Sequence, residues 1–114
     1  GALWSSPVDV ERLIEPVCQG SIIRLTWGRD SKPGVLLFSN PANEKSRVNM
    51  TVRASFDDGA SWPVSQILHS GPAAYSCLVR LSDNSLGCLF EAGEKAAYES
   101  IVFHRLSDRS LQLP

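Results

Sequence analysis

Three side chains stand out for the chemistry they allow: Arg47, Tyr75 and Glu91. Arginine presents a planar fork of N–H donors that grips a carboxylate through two parallel bonds and stays charged at any working pH. A tyrosine phenol becomes a nucleophile once a neighbouring base takes its proton. Glu91 sits in the run Leu89-Phe90-Glu91-Ala92, where a carboxylate buried without a partner is costly and calls for a cation or for donors. Each residue also fits a plainer role. Arg47 alone reads as a solvated charge at the start of a strand, Tyr75 as a core or rim tyrosine after the Gly71-Pro72 turn, and Glu91 as a strand-end charge facing solvent. The elements that position them decide between the two.

Those elements belong to a chain of 114 residues, 43% hydrophobic and 20% charged, enough for one modest domain with a small core. The formal net charge of -1 argues against nucleic acid or an anionic membrane as the main partner. No apolar run approaches the length of a membrane span, and no signal-peptide pattern is present. Cys18, Cys77 and Cys88 form no C-x-x-C pair and no matched histidine spacing, so no metal site is expected. An odd cysteine count gives no disulfide framework, and buried free thiols are expected. Cys77 and Cys88 fall on neighbouring predicted strands, which leaves a disulfide between them open. Asn49-Met50-Thr51 is an N-glycosylation sequon, and His69 and His104 read as ordinary surface or partly buried histidines.

The strongest local signal is Ser55-Phe56-Asp57-Asp58-Gly59-Ala60-Ser61-Trp62. Asp-Gly between two strand-like runs is a hairpin turn, with Gly59 able to take positive φ and an aspartate side chain able to fix the loop. Trp62 is expected to fold back over it. Around this turn, strands are predicted at 21–27, 35–39, 47–56 and 64–68, followed after Ser70-Gly71-Pro72 by 75–81, 86–91 and 98–105. β-branched and aromatic content marks the first, a continuous apolar run covered on both faces marks the second, and Asn40-Pro41 ends it. Residues 8–17 are expected as an outer strand plus loop between Pro7 and Pro16. The fold class is all-β, antiparallel meanders.

The pattern Ser-x-Asp-x-Gly-x-x-Trp resembles the Asp box of sialidase (neuraminidase) β-propellers, and three further segments extend the resemblance along most of the chain in the same order. Phe38-Ser39-Asn40-Pro41-Ala42 with Arg47 and Asn49 is similar to the segment holding the last arginine of the family's carboxylate-binding triad. Gly71-Pro72-Ala73-Ala74-Tyr75-Ser76 is similar to the segment holding the catalytic tyrosine. Gly87-Cys88-Leu89-Phe90-Glu91 with Tyr98-Glu99-Ser100-Ile101 resembles the family's final strands.

The resemblance implies about two blades of a six-bladed propeller, with one Asp box. A four-stranded blade would span about 18–70 and an incomplete one about 74–106, the whole being a C-terminal part of a sialidase propeller. Gly1-Ala2-Leu3-Trp4-Ser5-Ser6-Pro7 then reads like the end of a blade hairpin, as expected of a chain cut from a longer protein.

By the same resemblance the activity is that of a retaining exo-α-sialidase acting on terminal sialic acids of glycans. Arg47 would bind the sialic acid carboxylate, Tyr75 would be the nucleophile, and Glu91 would orient the first arginine of the triad, with no metal and no cofactor. A neutral phenol suits an anomeric centre that already carries a carboxylate, since a carboxylate nucleophile would meet like charge. The family's first and second arginines, its aspartate acid/base and the glutamate that activates the tyrosine have no counterpart in this chain, so the chain alone is expected to be inactive. Its expected partners are a sialylated glycan and either the remaining blades of the parent or other copies of the chain filling the open edge. The alternative is a non-catalytic glycan-binding or structural β-propeller module.

Overall fold

The computed structural model describes residues 1–114 apart from Asn84, Asp108, Gln112 and Pro114. Six strands follow one another: β1 (Ser21–Thr26), β2 (Val35–Pro41), β3 (Val48–Ser55), β4 (Val64–Arg80), β5 (Leu86–Ala92) and β6 (Ser100–Leu106). Each pairs antiparallel with the next, in the spatial order β1-β2-β3-β4-β5-β6. The architecture is thus the all-β meander of propeller blades, with the first half of β4 closing one meander and its second half opening the next.

Alternation in β2 turns Val35, Leu37 and Ser39 inward, fully buried, while Leu36 and Phe38 lie half-buried on the other face. Met50, Val52 and Ala54 of β3 join them, and Leu78, Leu86, Cys88 and Phe90 come from the second meander to complete one cluster. Two buried hydroxyls, Ser39 Oγ and Ser76 Oγ, meet at 2.8 Å and tie the meanders together.

Three features depart from the expectations. Residues 8–17 form no strand. Their mixed polar and apolar residues lie mostly exposed, so they bury no apolar face against the sheet that would hold them extended. β2 runs on through Asn40-Pro41, pairing Asn40 with Thr51 and Pro41 with Met50. The expected break at Ser70-Gly71-Pro72 is absent, and β4 continues through it for 17 residues. Pro72 has no N–H to lose, its carbonyl accepts from Gly93 N at 3.0 Å, and Ala73 N donates to Arg47 O at 2.9 Å, so the ladders continue on both sides.

The Ser55–Trp62 turn is built as its residues require. Asp58 and Gly59 both have positive φ, 57° and 95°. Asp57 Oδ1 accepts from Ser61 N and Ser55 Oγ, each at 2.8 Å, and Ser55 Oγ accepts from Gly59 N at 2.8 Å. Asp57 Oδ2 takes the Ser61 hydroxyl at 2.5 Å. Trp62 is buried edge-on to Phe38, with ring centroids 6.1 Å apart.

The outward face of β4–β6 is apolar and uncovered. Leu89 is 44% exposed, Ile101 72% and Phe103 51%. Among the described residues no helix is long and apolar enough to cross a membrane.

Candidate functional site

Arg47, Tyr75 and Glu91 come from three separate elements and meet at one end of the sheet. Arg47 stands just before β3, where the chain returns from the Asn43–Ser46 turn. That turn is held by Asn43 Oδ1, which accepts from Lys45 N at 2.9 Å and Ser46 N at 2.8 Å. Tyr75 lies in β4 at a register irregularity between Ala73 and Ser76. Such bulges re-aim a side chain and free a backbone donor from the ladder. The freed Tyr75 N–H donates instead to Glu91 Oε2 at 3.2 Å. Glu91 therefore grips the backbone of Tyr75, a contact its position in the sequence did not suggest.

The Arg47 guanidinium carbon lies 5.7 Å from the centre of the Tyr75 ring, within range of a cation–π attraction. Two further partners fix it: Nη1 donates to Tyr98 Oη at 2.5 Å and Nη2 to Val17 O at 3.0 Å. The Tyr98 bond is the main reason the Arg47 pKa is raised above its usual value. Tyr75 is half exposed, its ring open to solvent on the outer face.

A strap of irregular chain, residues 15–20, crosses this group. Glu15 Oε2 accepts from Cys18 N at 2.9 Å. Gln19 makes two bonds to the backbone of Ser76, Nε2 to O and N to Oε1, each 3.1 Å. The Cys18 thiol is pushed up chiefly by burial, with Glu91 raising it and Arg47 opposing, so it lies within electrostatic reach of both.

A shallow hollow of about 180 Å³ adjoins Tyr75 and is lined by Cys77, Leu89, Glu91 and Ile101 among others. It falls below the roughly 300–1,000 Å³ of a small-molecule pocket, and Arg47 does not line it. It belongs to the bare apolar face of the second meander rather than to a finished ligand site. Among the described residues no three His, Cys, Asp or Glu side chains gather as a metal site would need.

Tyr98, Val17 and Gln19 were not anticipated as members of this group. A backbone carbonyl leaves no mark in a sequence. Tyr98 is separated from Arg47 by 51 positions, and no short motif joins them. Glu99 is structural: its carboxylate accepts from Glu94 N, Lys95 N and Ala96 N at 2.8, 3.1 and 2.9 Å, which holds its pKa below the usual range. The three cysteines are free, with Cys88 buried and Cys77 exposed. Thr51 of the sequon is buried, its hydroxyl bonded to Asn49 O at 2.7 Å.

No family model matches the chain. Its sequence is 41% identical over 96 residues to a sialidase of Micromonospora viridifaciens, taking in 81% of this chain and 15% of that protein. It is 40% identical over 79 residues to Sialidase-3 of Bos taurus, 67% of this chain and 18% of that protein. Among solved structures it is similar to a Hadza microbial sialidase, with a TM-score of 0.76 at 32% identity over 97% of this chain and 22% of that one. The intramolecular trans-sialidase from Ruminococcus gnavus shares the fold, at a TM-score of 0.76 and 20% identity, over 97% of this chain and 27% of that one. The chain thus spans 15% and 18% of the length of the first two curated relatives.

Proposed function

The chain belongs to the sialidase family, and from that premise we propose that it supplies part of the active site of a retaining exo-α-sialidase. The observation that carries this is the meeting of Arg47, Tyr75 and Glu91, drawn from three elements. The complete protein would release terminal sialic acids from glycoconjugates.

In this reading Arg47 binds the substrate carboxylate through the N–H donors that Tyr98 and Val17 leave free. Tyr75 gives its phenol proton to a base outside this chain and its Oη attacks the anomeric carbon, forming the O–C bond as the glycosidic C–O bond breaks, while the departing glycan takes a proton from an acid that also lies outside this chain. Water, losing a proton to that same acid group now acting as base, then attacks from the face the glycan left and breaks the tyrosyl C–O bond, so that two inversions retain the configuration. Glu91 holds the Tyr75 backbone and orients the first arginine of the triad, which like the acid/base lies outside this chain. The bare face of β4–β6, with Ile101 and Phe103 exposed, is where a further blade of the parent, or another copy, would pack. Sialylated glycan is the substrate, and no cofactor takes part.

The test is turnover of a fluorogenic sialoside. The complete protein should cleave it, Tyr75→Phe should lose most of its turnover, and the isolated chain should be inactive. Full activity in the Tyr75→Phe protein would overturn the assignment of the nucleophile, and turnover by the isolated chain would overturn its incompleteness.

A further inference from the structure

A long side chain grips a carboxylate well only if its plane is fixed before the ligand arrives, because the entropy of fixing it otherwise opposes binding. Arginine has five N–H donors. Arg47 uses one on Tyr98 Oη at 2.5 Å and one on Val17 O at 3.0 Å, which leaves three, enough for a two-point grip.

Both partners are held in unusual ways. Val17 is β-branched yet has a φ of 54°, a conformation that disfavours such a residue and persists only where its surroundings impose it. Tyr98 is 62% exposed, so burial does not set its place. Its loop does: the Glu99 carboxylate gathers the N–H groups of residues 94, 95 and 96, and Ser100 Oγ bonds Ala92 O at 2.8 Å. Tyr98 therefore stands on a preformed loop with its hydroxyl directed at Arg47.

We propose that Tyr98 is a positioning residue for Arg47: its phenol oxygen accepts from Nη1 and fixes the guanidinium plane for the ligand carboxylate. This makes Tyr98 a determinant of selectivity for the acid form of the sugar. It rests on the assignment of Arg47 as the carboxylate binder, and the test separates the two.

The experiment measures dissociation constants of the complete protein for sialic acid and for its methyl ester, which lacks the anionic carboxylate, in the wild type, Tyr98→Phe and Arg47→Ala. Removal of one hydroxyl in Tyr98→Phe should weaken the acid about threefold to tenfold and leave the ester within about twofold, so that the preference for acid narrows. Equal weakening of both ligands, or no change in either, overturns the role of Tyr98 while the reading of Arg47 stands. If Arg47→Ala itself keeps the full preference for the acid, the reading of Arg47 fails, and the positioning role with it.

Discussion

The Gln19 side chain pairs with Ser76 as one strand pairs with another: its Nε2 donates to Ser76 O and its Oε1 accepts from Ser76 N, both at 3.1 Å. One side-chain amide thereby satisfies both backbone groups of the residue next to Tyr75, at the place where the ladder to β5 is irregular. Gln19→Glu keeps the acceptor but sets a carboxylate oxygen against the Ser76 carbonyl. The expected result is a loss of roughly 1–2 kcal/mol in urea denaturation and faster hydrogen exchange at the Ser76 amide. Unchanged exchange at that amide would show that the pairing does not hold β4.

The Ser55–Trp62 turn depends on two residues for different reasons. Asp57 gathers the Ser61 N–H, the Ser61 hydroxyl and the Ser55 hydroxyl. Gly59 sits at a φ of 95°, where a Cβ is strained. Gly59→Ala should cost roughly 1–2 kcal/mol, and Asp57→Ala should lower the thermal midpoint. Because the turn lies away from Arg47 and Tyr75, neither should alter selectivity for the acid ligand. A change in that selectivity would show the turn coupled to the site.

The thiols differ in reach. Cys77 lies opposite Leu89 and Cys88 opposite Leu78, so the two cysteines occupy adjoining rungs but opposite faces of the sheet. A disulfide between them would need the backbone to turn over. Iodoacetamide should modify the exposed Cys77 of the native chain quickly. Cys88, buried and with its thiol pushed up to about 11, should react only after unfolding. Mass spectrometry of the timed reaction reads this directly, and a Cys77–Cys88 bridge on mild oxidation would contradict the register.

The legible parts of the fold were those written locally. The Asp58-Gly59 turn, the strand content and the meander order follow from turn chemistry and alternation, which act over a few residues. The continuity of β4 was not legible, because Gly71-Pro72 is a strong local break signal that the flanking ladders override through Pro72 O and Ala73 N. The irregular state of residues 8–17 was missed for the opposite reason, since nothing local forbids a short edge strand there. At the candidate site, residue type singles out Arg47, Tyr75 and Glu91, and the structure brings the three together. The contacts that set their geometry, from Tyr98, Val17 and Gln19, arise from distant parts of the chain.

Acid should unfold the protein through identifiable carboxylates. Asp57 and Glu99 both have pKa values below their usual range, the first chiefly through the Ser61 hydroxyl and the second chiefly through the N–H of Glu94. Near pH 4 the folded state then binds fewer protons than the unfolded one, so stability rises with pH up to the ordinary carboxylate range. That contribution is fully present above the range and is lost as pH falls through the depressed folded values. Urea midpoints measured from pH 2.5 to 7 should show this limb, and Asp57→Asn with Glu99→Gln should flatten it. An unaltered limb in the double variant would assign acid lability to other groups.

The same Glu99 cap makes Gly93 the residue on which the site loop turns. A Cβ at Gly93 would meet Ala96 O at 2.0 Å and Glu99 Oε2 at 2.6 Å, so Gly93→Ala cannot keep both the backbone path and the carboxylate cap. Overpacking of this kind costs about 1–3 kcal/mol, and here the displaced atoms are those that present Tyr98 to Arg47. Gly93→Ala should therefore lower stability and also narrow the preference for sialic acid over its methyl ester, although Gly93 touches neither Arg47 nor Tyr75. Adding Tyr98→Phe should then narrow the preference little further, because both changes break one interaction and their effects do not add. Fully additive losses in the double variant would mean that the loop reaches the ligand by a route other than Tyr98.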